Sequence, residues 1–195
     1  MKPDQFQLRV PDHTVTFFGK GAEVTGAVEG DFLVVRHPTI FADVIARLQA
    51  LENEIHHDLD GFTGWDHAAF TRGFDEQHRL MVSEMGPKNY ERRPLFDYTD
   101  KECSLIHYNV SDELRAIGLA NDVACSGIDY GWSDYIGDVI DGLDGGKLSL
   151  TFGDAVDCSC HTTLLAMGMG LFPDRLPSIV TPARFAKWHG AIFLG

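Results

Sequence analysis

The stretch that constrains this chain most is Val156-Asp157-Cys158-Ser159-Cys160-His161-Thr162-Thr163-Leu164-Leu165-Ala166-Met167-Gly168-Met169-Gly170-Leu171. Two turn formers, Gly153 and Asp154, precede it, and small and apolar residues fill it. It reads as a buried helix with Cys158 at its first turn. Unpaired N–H groups and the positive end of the dipole favour a thiolate there. A cysteine so placed is a candidate nucleophile if a histidine from another element reaches it. Cys160 lies two positions on, about 200° round the helix. If Cys158 looks into a cleft, Cys160 is expected to face packing as an inert small hydrophobe.

The rest of the chain supplies an α+β frame. Gln7–Val10 and Thr14–Phe18 have strand-like composition, separated by Pro11-Asp12. Gly30-Asp31 is a turn signal, and Phe32-Leu33-Val34-Val35-Arg36 reads as a buried strand. Pro38 and Thr39 open a helix whose apolar stripe is Ile40, Phe41, Val44, Ile45, Leu48 and Leu51, with Arg47, Gln49 and Glu52 off it. Glu54–Asp60 reads as a polar loop. His67-Ala68-Ala69-Phe70-Thr71 is a strand, Asp75–His78 a hairpin break, and Arg79–Met85 the return strand. Arg92–Tyr98 reads as a connection and Ser104–Val110 as a further strand. Ser111 caps a helix running to about Ala124. Lys147–Phe152 is extended, and a short helix starts at Thr181-Pro182, with proline at a favourable first position. No internal repeat or linker divides residues 1–195, so one domain is expected, with residues 1–28 an N-terminal extension packed on it.

Charge narrows the partners. There are 16 Lys and Arg against 29 Asp and Glu, a formal net charge of −13. Nucleic-acid binding rests on cations that neutralise phosphates, so this balance argues against it, and against anionic membrane surfaces. No run of about 18 apolar residues is present to span a bilayer, and Met1–Val10 has no signal-like apolar core. The four cysteines (103, 125, 158, 160) are too few for a disulfide scaffold. Reduced thiols and a cytoplasmic location are expected, with release on lysis left open.

Three segments carry a resemblance to a known family. They are Gly30-Asp31-Phe32-Leu33-Val34-Val35-Arg36, then Thr63-Gly64-Trp65-Asp66-His67-Ala68-Ala69-Phe70, then Cys158-Ser159 with the helix that follows. In this order they resemble the circularly permuted NlpC-type (YiiX-like) papain-fold cysteine hydrolases. In that group the histidine strand precedes the cysteine helix. Leu176-Pro177 to Trp188 is similar to the family's final loop and helix, and the resemblance spans roughly residues 29–190. It implies a papain-like antiparallel sheet packed against helices, with the cysteine on a central helix. Carried over by position, Cys158 is the nucleophile and His67 the base. Glu84, on the next strand, is the acid that fixes the imidazole tautomer. The backbone N–H of Cys158 would supply part of an oxyanion hole. Trp65, Asp66 and Tyr130 are the substrate-binding candidates. The chain departs from the family at Val156-Asp157, where an aromatic residue commonly stands, and at Cys160-His161.

The implied activity is hydrolysis of a peptide or other amide through a thioester, cell-wall peptides first, with no cofactor. Relatives of the architecture include lecithin–retinol acyltransferase-like enzymes, so acyl transfer or lipid hydrolysis is an alternative. A non-enzymatic binding or structural protein that keeps the fold, such as a phage component, is another. Metal binding is the rival chemistry at Cys158-x-Cys160-His161, with His56-His57-Asp58 elsewhere. The spacing is not that of a common zinc site, and residues 158 and 160 diverge on a helix, so no metal is expected. His56, His57, His78, His107 and His189 read as surface or loop residues.

Overall fold

The protein is described by a computed structural model that covers residues 12–86, 89–127, 157–171 and 180–194. Its elements in order are β1 (His13–Phe18), β2 (Phe32–Arg36), α1 (Ile40–His56), β3 (His67–Phe74), β4 (Leu80–Gly86) and β5 (Asn89–Pro94). A 3-10 turn (Leu95–Tyr98), β6 (Glu102–Tyr108), α2 (Asp112–Ala124), a 3-10 turn (Cys125–Gly127), α3 (Cys158–Gly168) and α4 (Pro182–His189) follow. The architecture is α+β. One six-stranded sheet has the order β1-β6-β2-β3-β4-β5, with every neighbouring pair antiparallel. The segments Gln7–Val10 and Lys147–Phe152 lie outside the described residues.

Period-two alternation along the central strands separates two cores. Phe32, Val34, Ala68, Phe70, Ile106 and Tyr108 pack with Leu165, Ala166 and Met169 from the α3 segment and with Phe185 and Ala186 of α4. Their neighbours Leu33, Val35, Ala69, Cys103 and Leu105 pack on the other face with Leu95, Tyr98 and Val24. A strand covered on both faces reads as a continuous apolar run, which is why β2 has no polar alternation. α3 touches β3, β4, α2 and α4, so the cysteine helix is enclosed on several sides.

Several expectations need correcting. β1 is the edge strand of the sheet, paired with β6 from His13 to Phe18. Part of the presumed 1–28 extension is therefore integral to the sheet. The presumed connection at 92–98 contains the end of a sixth strand, β5, followed by a 3-10 turn. α1 runs through Glu54 and Ile55 to His56, where a loop was expected. It is closed by His57 in the left-handed region (φ 54°), whose N–H bonds to the carbonyl of Asn53.

The buried face of α1 is also not the expected one. Val44 and Leu51 are exposed, whereas Gln49 and Glu52 are buried beside Ala42 and Ile45. Gln49 Nε2 donates to the carbonyl of Trp65 at 2.7 Å, and its Oε1 accepts the N–H of Ala183 at 2.9 Å. Glu52 Oε1 takes Arg184 Nε at 2.8 Å. These partners satisfy polar groups that would otherwise be costly to bury. They also tie α1 to the start of α4 and to the segment leading into β3. Among the described residues no helix is long and apolar enough to cross a membrane.

Candidate active site

α3 begins at Cys158 because Asp157 caps it. Asp157 Oδ1 accepts the Cys160 N–H at 2.7 Å and the Ser159 hydroxyl at 3.0 Å. Ser159 Oγ also lies 3.0 Å from the Val180 carbonyl, just before α4. Asp157 is thus the helix cap. Its side chain satisfies donors that the first turn leaves without helical acceptors.

His67 is the first residue of β3. Its ring has two partners. The Cys158 side chain lies close enough to interact with it, and its Nε2 donates to Glu84 Oε2 at 2.9 Å. With Nε2 committed to the carboxylate, Nδ1 is the nitrogen left for the thiol. The register explains how Glu84 arrives there. Phe70 pairs with Ser83, which puts Glu84 opposite Ala69, one diagonal step from His67 on the same sheet face.

Glu84 is buried and has two further contacts. Tyr98 donates its hydroxyl to Oε2 at 2.5 Å, and Arg93 Nε lies 2.5 Å from Oε1. Burial alone would raise the Glu84 carboxyl. The imidazolium of His67, the hydrogen bonds from His67 and Tyr98 and the Arg93 guanidinium outweigh it and hold the group well below the usual carboxylate range. Burial likewise favours neutral His67. The charges of Cys158 and Glu84, with their hydrogen bonds, override it and hold the ring well above the ordinary histidine value. Burial and the Glu84 charge push the Tyr98 hydroxyl well above its usual value, so it stays a donor.

The other cysteines differ. Burial pushes the Cys103 thiol up to about 12, and burial with the Asp122 charge raises Cys125. Cys160 is partly exposed, whereas Cys158 is only 1% exposed. This reverses the expectation that Cys160 would be the one turned into packing. The enclosed surroundings of α3 leave Cys158 facing His67 inside the protein and Cys160 nearer the surface.

The substrate-binding candidates separate. Trp65 is fully buried, donates its indole N–H to the Ala191 carbonyl at 2.7 Å, and packs on Phe17 and Phe193. It is a core residue, because a large ring beside a strand start has apolar neighbours on both sides. Asp66 is also buried and faces His37, which it holds through Nδ1 at 2.9 Å and through the backbone N–H at 2.8 Å. The His37 and His67 rings meet edge-on, centroids 5.0 Å apart. Tyr130 lies outside the described residues. Tyr98, Arg93 and His37 were missed by sequence reasoning. Tyr98 and Arg93 sit in a stretch without periodicity, and only the Arg36-His37 position at a strand end could have drawn attention to His37.

Among the described residues no group of three or more His, Cys, Asp or Glu side chains is arranged to hold a metal. His161 is a buried residue of α3, with Nε2 3.3 Å from Asp122 Oδ1, within ion-pair range but without hydrogen-bond alignment. Asp122 also accepts Ser83 Oγ at 2.6 Å and the Tyr90 hydroxyl at 2.8 Å. Two of the presumed surface histidines are not free on the surface. His189 is buried, accepted at Nδ1 by the Phe185 carbonyl and in contact with the Tyr108 hydroxyl, and burial pushes it down to about 3. His107 Nδ1 bonds to Asp31 at 3.1 Å. No protein-family model matches this chain, and no curated protein matches it.

Proposed function

We propose that this chain is a cysteine hydrolase that cleaves an amide bond through a Cys158–His67–Glu84 triad. The observation that carries the reading is one imidazole held between a thiol at the start of a helix and a buried carboxylate. The antiparallel sheet, the cysteine on an enclosed helix and the chain order of histidine before cysteine also support a permuted NlpC-type papain-like fold.

The chemistry follows from the contacts. His67 takes the thiol proton at Nδ1 as the Cys158 sulfur attacks the acyl carbon. Charge develops on the acyl oxygen, and the Cys158 backbone N–H, in the first turn where main-chain donors lack helical acceptors, stabilises it. The imidazolium then protonates the departing amine from Nδ1. Glu84 holds Nε2–H throughout, which fixes the tautomer and stabilises the charged ring. A thioester on Cys158 remains, and water resolves it. The substrate class is a peptide amide, with cell-wall peptides the first to assay.

The test is alkylation by iodoacetamide with mass mapping, alongside hydrolysis of peptide amides. Cys158→Ser is expected to abolish hydrolysis and leave the fold intact. His67→Ala is expected to slow labelling of Cys158 at neutral pH at least about tenfold, because the base no longer takes the thiol proton. Cys160→Ser is expected to keep activity. Labelling of Cys158 that is indifferent to His67 would rule out the catalytic pair and favour a binding protein that keeps the fold.

A further inference from the structure

We infer that His37, locked by Asp66, is a positioning residue: its ring is the wall that holds the His67 imidazole in one orientation. The inference rests on the cysteine-hydrolase reading. His37 follows β2 directly, two residues past Val35, and Val35 pairs with His67. Side chains two apart on a strand share a face, so His37 falls diagonally beside His67. The two rings meet with centroids 5.0 Å apart and planes crossed at 73°. That is van der Waals contact in the edge-to-face arrangement aromatic rings prefer.

His67 requires such a wall. Glu84 takes its Nε2 at 2.9 Å. That nitrogen lies close to the Cβ–Cγ axis about which the ring turns, so a bond there restrains turning weakly. The terminal torsion of a histidine is broad and sets no firm angle of its own. Nδ1 lies well off the same axis and swings as the ring turns, and Nδ1 is the nitrogen that Glu84 leaves for the thiol. A fixed neighbour in contact with the ring removes the room for that swing.

His37 can serve because it is itself held. The Asp66 N–H bonds to the Val35 carbonyl at 3.1 Å, which continues the ladder past the strand end. The buried Asp66 carboxylate accepts the His37 backbone N–H on Oδ2 at 2.8 Å and Nδ1–H on Oδ1 at 2.9 Å. A bond at Nδ1 lies off the turning axis, so it fixes the angle of the His37 ring as the Nε2 bond of His67 does not. Arg36 steadies the carboxylate, with Nη1 3.3 Å from Asp66 Oδ2 and Nη2 2.5 Å from Asp43 Oδ1. Glu84 therefore sets where the tip of the His67 ring lies, and Asp66, acting through His37, sets its tilt.

The experiment measures two rates in wild type, His37→Asn and His37→Phe. One is iodoacetamide labelling of Cys158 at neutral pH, followed by mass mapping. The other is solvent exchange of the His67 ring N–H by NMR, the signal being assigned by its loss in His67→Ala. His37→Asn keeps an amide donor for Asp66 and removes the ring. Its labelling is expected to fall, and its exchange to rise, by at least about tenfold, the scale of a misplaced catalytic group, with Tm close to wild type. His37→Phe keeps a ring and gives up the Asp66 contact, and both its rates are expected to lie closer to wild type than to His37→Asn. Rates within about threefold of wild type in His37→Asn would overturn the inference. So would a folded His37→Phe as impaired as His37→Asn, which would assign the effect to the Asp66 contact and not to the ring. If His37→Phe does not fold, His37→Asn decides alone. Labelling indifferent to His67→Ala would remove the cysteine-hydrolase reading instead, and the exchange rate, which needs no catalysis, would still test the contact between the rings.

Discussion

Replacing Glu84 by Gln removes one charge and nearly nothing of the shape. The carboxylate accepts from His67 Nε2 at 2.9 Å and from the Tyr98 hydroxyl at 2.5 Å, and pairs with Arg93 Nε at 2.5 Å. A hydrogen bond to a charged group is worth about 1.5–3 kcal/mol and a neutral one about 0.5–1.5, so each neutralised contact loses about 1 kcal/mol. Arg93 is 41% exposed, and its share is discounted for solvent screening. The expected loss is about 2–3 kcal/mol, or roughly 5–10 °C in Tm for a chain of this size. The pH dependence has two limbs. Glu84 is held low in the folded state, so its contribution is present above its ordinary value of 4.5 and is lost as pH falls toward the depressed one. His67 is held high, so its contribution is full below 6.5 and is lost as pH rises through the raised value. The gap between wild type and Glu84→Gln is therefore expected to be widest between pH 4.5 and 6.5. Thermal melts across pH measure it, and kcat on a peptide amide is expected to fall roughly 100-fold or more because the imidazolium loses its counter-charge. A gap that stays constant with pH, or a kcat within a few-fold of wild type, would refute the reasoning.

Two further outcomes are expected. Trp65→Phe is expected to leave the Ala191 carbonyl without its indole donor and to lower stability by about 1–3 kcal/mol in denaturant melts. Hydrolysis of peptide amides is expected to be unchanged, and a large kinetic effect would restore Trp65 as a substrate contact. Asp122→Ala is expected to lower stability by about 3–5 kcal/mol, because Ser83, Tyr90 and the Arg72 guanidinium lose a buried carboxylate; a loss under 1 kcal/mol would show that the cluster relaxes or takes up water.

What was legible in the sequence was the apolar pattern and the chain order. Phe32–Arg36 and His67–Thr71 are strands because their side chains suit a sheet covered on both faces, and a local run carries that information. Cys158 and its first-turn position are likewise local, set by a capping residue next to a small and apolar run. The polar half of the core was not legible. Gln49 and Glu52 break the stripe of α1, yet they are buried, because Ala183 and Arg184 meet them from 134 and 132 residues away. No window along the chain contains both partners. Asp66 sits one residue from the catalytic candidate and invites a substrate role, but its direction was decided by alternation about the strand end and by His37. Tyr98 was hidden for the same reason, since the hydroxyl that completes the Glu84 site comes from a short turn without periodicity.

Five of the buried acids share a logic that bears on the site. Asp31, Glu52, Asp66, Glu84 and Asp122 are all buried in a chain that already carries a net charge of −13. Each meets a cation or a histidine: Arg115 and His107, Arg184, Arg36 and His37, Arg93 and His67, Arg72 and His161. Such pairs contribute little net stability, since desolvation offsets most of the attraction. What they supply is direction, because a charged hydrogen bond tolerates little rotation and low dielectric sharpens the penalty for leaving a partner unmet. Two of them lie at the start of β3, on consecutive strands, and each fixes one imidazole through a chosen nitrogen, Nδ1 in His37 and Nε2 in His67. The opposite choice of nitrogen matters chemically. It leaves Nδ1 of His67 and Nε2 of His37 as the nitrogens not held by those carboxylates. Two adjacent histidines are thus held by opposite nitrogens, and strand register rather than local sequence brings them together.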